Sequence, residues 1–164
     1  MSTTFGGGNF SKPADFRLVR YPVAGGTVIS VGDFLYWDSN TSTVKPLSAM
    51  TGSGTAATDQ ATVHDAFVGV ATQSRLAVQT AAGHVEVITD CIYEADCASS
   101  SSFLPGDMVG AVSSGASAAG AIEDKKVVEV ADAAKAIGVV VGYYSAATTR
   151  VLCRLYGLAG RQKF

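Results

Sequence analysis

The chain has 164 residues, of which 48% are apolar and 16% charged, with a formal net charge of -2 and a pI near 5.6. That length suits one domain with a real core rather than two full-sized ones, and the low charge content excludes a chain that is mainly solvated and disordered. The twelve basic residues are scattered and form no run that could follow a phosphate backbone, so direct nucleic-acid binding is not expected.

Three cysteines, Cys91, Cys97 and Cys153, are an odd number in a chain large enough for its own core, which argues against a disulfide framework and for folding in a reducing cytosol. The stretch Met1 to Gly8 lacks a basic segment followed by an apolar one, so no export signal is expected. The longest uncharged apolar run, Ala136 to Thr149, is too short to span a bilayer and contains two glycines and two tyrosines. It reads as a buried strand followed by a turn.

Taken in order, residues 1 to about 20 mix Gly6-Gly7-Gly8 with spaced aromatics (Phe5, Phe10, Phe16) and bases (Lys12, Arg17, Arg20), and over most of their length show neither helical nor strand period. This reads as an arm whose aromatics suit pockets on a partner. Phe16 to Tyr21 can form a strand closed by Pro22, and Thr27 to Val31 a second after the Ala24-Gly25-Gly26 bend. The strand Phe34 to Trp37 follows, with the only tryptophan placed to cap one end of a barrel, a packing role rather than a ligand role. Ala49 to Gln60 is small, polar and aperiodic, which predicts a long surface loop suited to making contacts. Phe67 to Ala71 returns to the sheet, and Ser74 to Gln79 could make a helical turn that Gly83 ends. Val85 to Glu94 alternates well enough to be the best half-buried strand. Ser99 to Ser102 is a linker, Pro105-Gly106 a turn, Ser113 to Ala121 a loop of small residues, and Ala131 to Lys135 a possible helical turn. The last strand, Arg150 to Tyr156, leads into a tail carrying Arg161, Lys163 and Phe164.

One stretch occurs twice. Gly32-Asp33-Phe34-Leu35-Tyr36-Trp37-Asp38 has a weaker copy in Gly106-Asp107-Met108-Val109-Gly110-Ala111-Val112. In each, glycine supplies a positive φ, aspartate can bond nearby backbone, and a β-prone run follows. Thr43 to Leu47, Ala66 to Ala71 and Ile88 to Tyr93 follow the first copy. Lys126 to Val130, Ala136 to Val141 and Val151 to Tyr156 follow the second. The prediction is an all-β fold, a small barrel or sandwich built from two similar strand modules, with at most short helical turns. Residues 1–24 form an extended N-terminal arm and lead-in strand, 25–156 the β domain, and 157–164 a C-terminal tail.

The residues that could carry chemistry are few. The only histidines are His64 and His84, and Gly115-Ala116-Ser117-Ala118-Ala119-Gly120 places its second glycine one residue too late for a nucleophile elbow. His64 beside Asp65 is the ordinary surface case. Cys91 and Cys97 lack zinc spacing. Asp90, Glu94 and Asp96 share strand parity and could face a hard cation together, although a solvated strand edge accounts for them as well. No glycine-rich stretch is followed by the Lys-Ser/Thr of a phosphate loop. Catalytic residues, metals, cofactors and a small-molecule substrate are therefore not expected.

Val31 to Asp38, Phe67 to Ala71, Leu104 to Val109 and Ala136 to Val140 together resemble the capsid cement, or head-decoration, proteins of tailed bacteriophages, over about Gly25 to Tyr156. The resemblance implies a small β-barrel or sandwich, commonly a homotrimer, made in the host cytoplasm and seated on the outer capsid surface. There it would bridge neighbouring major capsid proteins without catalysis, nucleic acid or membrane. Candidate capsid contacts are Phe5, Phe10, Lys12, Phe16, Arg17, Arg161, Lys163 and Phe164, and deletion of residues 1 to 15 is expected to leave a folded protein that no longer decorates heads. The alternatives are a tail or fibre assembly or receptor-binding module and, from another class, an envelope-active hydrolase around His64 or His84.

Overall fold

Two short turns set the frame of the computed structural model, which describes residues 3–5, 8–11 and 17–158. In Ser30 to Asp33, Gly32 takes φ +89°, the Asp33 amide donates to the Ser30 carbonyl (3.1 Å), and the Asp33 carboxylate accepts from the Ser30 amide (2.6 Å). Leu104 to Asp107 repeats this with Gly106 at φ +95°, the Asp107 amide on the Leu104 carbonyl (3.1 Å) and the Leu104 amide on the Asp107 carboxylate (2.7 Å). Each turn docks in the same way. Gly32 donates to Ala71 (2.8 Å), which donates back to Asp33 (2.9 Å); Gly106 donates to Val140 (2.8 Å), which donates back to Asp107 (2.8 Å).

The chain runs β1 (Thr3–Phe5), β2 (Gly8–Ser11), β3 (Leu18–Val23), β4 (Phe34–Asp38), β5 (Thr43–Pro46), α1 (Ala56–Ala66), β6 (Phe67–Ala71), β7 (Gly83–Ile88), β8 (Asp90–Asp96), β9 (Met108–Ser113), β10 (Ile122–Glu129), β11 (Gly138–Val140) and β12 (Arg150–Tyr156). Short 3-10 turns occur at Leu47–Ala49 and Ala133–Lys135, the second where a helical turn is predicted. The first module has the strand order β3-β7-β6-β4-β5 and the second β8-β12-β11-β9-β10, which is the same order five strands later. The fold is all-β, and the duplication seen in the sequence is a duplication of topology.

The modules differ at the seam. β10 closes the second onto β8 through a parallel bridge, Lys126 to Asp96. Because the Cys97 amide donates to Thr149 on the β12 side (2.9 Å), the amide of its neighbour Asp96 faces the other way, toward β10. The first module has Pro22 at that position, with no N–H to offer, and β5 lies beside β3 without bonding to it. Within the described part of the arm, β1 and β2 form a hairpin that adds to β8 through Phe10 opposite Tyr93 and Ser11 opposite Ile92.

Packing follows strand alternation. Val23, Ile29, Leu35, Val44, Val68, Ala71, Val85 and Val87 fill the first module, flanked by Tyr21 and Trp37. The opposite face of β4 presents Phe34 and Tyr36 to a larger core that includes Phe67, Tyr93, Val109, Ile122, Ile137 and Leu155, so this larger core joins the two modules beside the first module's own.

Several predicted elements change. Thr27 to Val31 is no strand: it holds a single bridge, Ile29 to Arg75, because turns crowd it on both sides and the Ser30 amide is taken by Asp33. Ala49 to Gln60 is not wholly a loop, since α1 begins at Ala56. Ser74 to Gln79 makes no helix; it carries the Arg75 bridge and a turn in which the Gln79 amide donates to Leu76 (3.0 Å). Val85 to Glu94 is two strands in different sheets, divided at buried Thr89, whose amide donates to Arg17 (2.9 Å) and whose carbonyl accepts from Gly157 (2.6 Å). The counterpart of β12 is therefore β7, and β8 opens the second module as β3 opens the first.

Candidate interaction surface

The loop at Ala49 to Thr55 turns inward. Gly52 donates to Ala118 (3.0 Å), Gly120 donates to Ser48 (2.7 Å), and a Cβ on Gly52 would stand 2.0 Å from the Ala116 carbonyl. The small residues of 49–55 and 113–121 thus allow two backbones to touch across the module boundary. Buried Asp59 on α1 latches the same boundary, accepting the Ser53 amide (2.6 Å) and the Ser113 hydroxyl. Burial alone would raise the Asp59 carboxyl, but the Ser113 hydroxyl and the Ser53 amide outweigh it and hold it below its ordinary value.

A depressed carboxyl contributes stability above its unfolded-state value and loses it as pH falls through the folded one. Asp59→Asn is therefore expected to cost about 1–3 kcal/mol at pH 7, the range for a charge-assisted bond in a buried site. Urea unfolding at pH 7 and pH 3 should show the gap between the two proteins narrowing at the lower pH. A gap that stays constant would remove the ionic latch from the account.

The groups considered for chemistry are dispersed or satisfied. His64 Nδ1 bonds the Ala136 carbonyl, while His84 is exposed on β7 opposite Pro22. Asp90, Glu94 and Asp96 share one face of β8, which is bonded on both sides rather than an edge, and arginines of β12 meet them: Arg154 on Asp90 (3.3 Å), Arg150 on Glu94 (3.4 Å) and Asp96 (3.2 Å). Cys91, Cys97 and Cys153 are buried free thiols, and burial pushes Cys91 and Cys153 up to about 12, far from thiolate reactivity at neutral pH. Burial, reinforced by Asp124, holds the Asp33 carboxyl above its ordinary value, with the Ser30 amide and Lys125, 3.4 Å away, opposing it only in part. Among the described residues, no helix is long and apolar enough to cross a membrane.

What the surface does present is apolar. In the first module Ile29 and Arg75 exchange backbone bonds (2.9 and 2.7 Å), and in the second Phe103 and Tyr144 do the same (2.9 Å each way). Ile29 and Phe103 plug the interior, so alternation turns their neighbours outward. Antiparallel register sets Val28 beside Leu76 and Leu104 beside Tyr143, and Val78 and Val141 are exposed two residues along the same segments. Leu76 is 61% exposed, Val78 80% and Tyr143 71%, which is unusual for side chains of that size.

Both patches sit on braced backbone. The guanidinium of buried Arg75 donates to the Gln79 (3.3 Å) and Ala81 carbonyls, and the Leu76 amide donates to the Gln79 side chain (2.8 Å). On the second ribbon the Tyr144 hydroxyl accepts the Leu152 amide (3.0 Å). These patch residues are not among the contacts expected from the sequence; the available signal was large apolar residues inside turn-rich segments. Of the expected contacts, Arg17 is exposed immediately before β3, and Phe5 and Phe10 belong to the hairpin. Lys12, Phe16, Arg161, Lys163, Phe164 and the side chains of Phe5 and Phe10 lie outside the described residues. No family model and no curated protein matches the chain.

Proposed function

We propose that the chain is a non-catalytic structural protein of a tailed-phage virion, seated on the outside of the icosahedral head and clamping neighbouring major capsid proteins. The observation that supports this most is the pair of braced apolar patches, with Val28, Leu76 and Val78 exposed on one module and Leu104, Val141 and Tyr143 on the other, the modules being joined through the larger core. A body with two separate adhesive points fits a bridge between subunits better than a pocket for one ligand. It stabilises a shell by mass action, because intact junctions bind it and separated subunits do not. A homotrimer, as the resemblance implies, multiplies modest contacts by avidity.

The test adds purified protein to heads lacking it and follows attachment by sedimentation and electron microscopy. The unaltered protein should coat the shell. Leu76→Ser/Val78→Ser and Leu104→Ser/Tyr143→Ser should each weaken attachment by about tenfold or more, the equivalent of roughly 1.4 kcal/mol, and the combined variant should not attach. Attachment confined to tails, or unchanged in the combined variant, contradicts the proposal.

A further inference from the structure

The two modules share a topology but not the state of their outer edge. β8 is bonded along one side by β12 and on the other by β10 at Asp96 and β2 at Ile92 and Tyr93. The shared register carries Ile92, Tyr93 and Asp96 onto Leu18, Val19 and Pro22 of β3. There β7 takes one side; on the other β5 lies beside β3 without bonding to it, and no described strand bonds that side. The Arg17 carbonyl accepts Thr89 on the β7 side, so the parity that turns Asp96 toward β10 turns the Leu18 and Arg20 amides to the open side.

One hairpin serves two equivalent edges, and in this chain it lies on β8. Among the described residues, the hairpin of a second copy could cover β3 only by uncovering its own β8. Direct pairing of two β3 edges would also bring Arg17 and Arg20 of both copies together, and Pro22 shortens the ladder available to it. Arg17 and Arg20 are exposed and, among the described residues, make no ion pair, although Glu86 stands opposite Arg20 in register; Leu18 is 48% exposed. Those features favour an extended segment carrying acidic residues and an apolar side chain to cover Leu18.

We propose that the open edge of β3 at Leu18 to Arg20 receives a short acidic strand of the clamped partner, a mode of attachment that rests on the reading above for who the partner is. Strand addition supplies backbone bonds, and the arginines select its charge. The probe is a seven-residue peptide alternating Glu and Val, with a Lys/Val version as control, added to full-length labelled protein. With the acidic peptide, the Leu18 and Arg20 amides should shift and exchange at least about tenfold more slowly, and the Lys peptide should bind at least about fivefold more weakly. Arg20→Pro should abolish the effect, and Arg17→Glu/Arg20→Glu, which keeps every amide, should reverse the peptide preference even if the proline variant does not fold. Absence of change at those two amides, or equal binding of the two peptides, overturns the proposal. Heads that bind the double-Glu variant as tightly as the unaltered protein overturn the edge alone, whereas heads that bind neither overturn the clamp.

Discussion

Phe34→Ala is expected to destabilise the protein by about 3–5 kcal/mol, with the whole fold losing that stability together. Phe34 is fully buried and stands edge-on to Phe67 at 5.9 Å and to Tyr93 at 5.7 Å, so it joins the first module to the second. Removing the ring leaves a cavity where the modules meet, and the Tyr93 hydroxyl that donates to the Gly32 carbonyl (3.3 Å) loses the packing that holds its ring. Urea unfolding should show one transition at a lower midpoint with an unchanged slope. Two separate transitions, or a loss under about 1.5 kcal/mol, would mean that the modules do not share a core in the way described.

A second large effect is expected at Gly69. Its φ of +142° lies outside the range of ordinary L-residues, and an added Cβ would stand 2.1 Å from the Ile88 carbonyl oxygen, in backbone that cannot swing aside. Gly69→Ala should cost more than about 3 kcal/mol and leave little soluble protein, through strain at that φ and the loss of the β6–β7 pairing. Gly106→Ala is the control, because its φ is also positive, +95°, but an added Cβ meets nothing within 4 Å. It should cost only about 1–2 kcal/mol, the ordinary penalty of a left-handed alanine. Equal losses at the two sites would show that close approach at Gly69 plays no part.

The two Gly-Asp turns and their following strands were legible because each is a four-residue unit whose residue types dictate its geometry, and the matching pair Phe67 to Ala71 and Ala136 to Val140 keeps the same bonds in space. The third pairing of the repeat went astray at Thr89. Alternation covers much of Val85 to Glu94 on both sides of Thr89, and a period-2 pattern cannot register that the chain has left one sheet for the other. α1 was illegible for a different reason: only Asp59 and Val63 are buried on it, so it lacks an apolar stripe and is held instead by bonds to the second module, among them Gln60 to the Ala111 carbonyl (3.3 Å). The 49–55 and 113–121 loops misled by composition. Small residues usually mark exposed, mobile backbone, and here they mark backbone pressed against backbone.

The surface was the least legible part. Val28, Leu76, Leu104 and Tyr143 are separated in sequence by as much as 115 positions, and only the pairings Ile29 to Arg75 and Phe103 to Tyr144 bring them together two by two. Arg17, by contrast, is legible in the sequence as a base beside an arm of aromatics, and it lies exposed immediately before β3.

The most direct measurement is a reconstruction of heads with and without this protein, at a resolution that separates its two modules. The account predicts added density on the outer shell at junctions between capsid subunits, with the Leu76 patch and the Tyr143 patch against different subunits. Density on the tail, or a particle in which both patches face solvent, would contradict it.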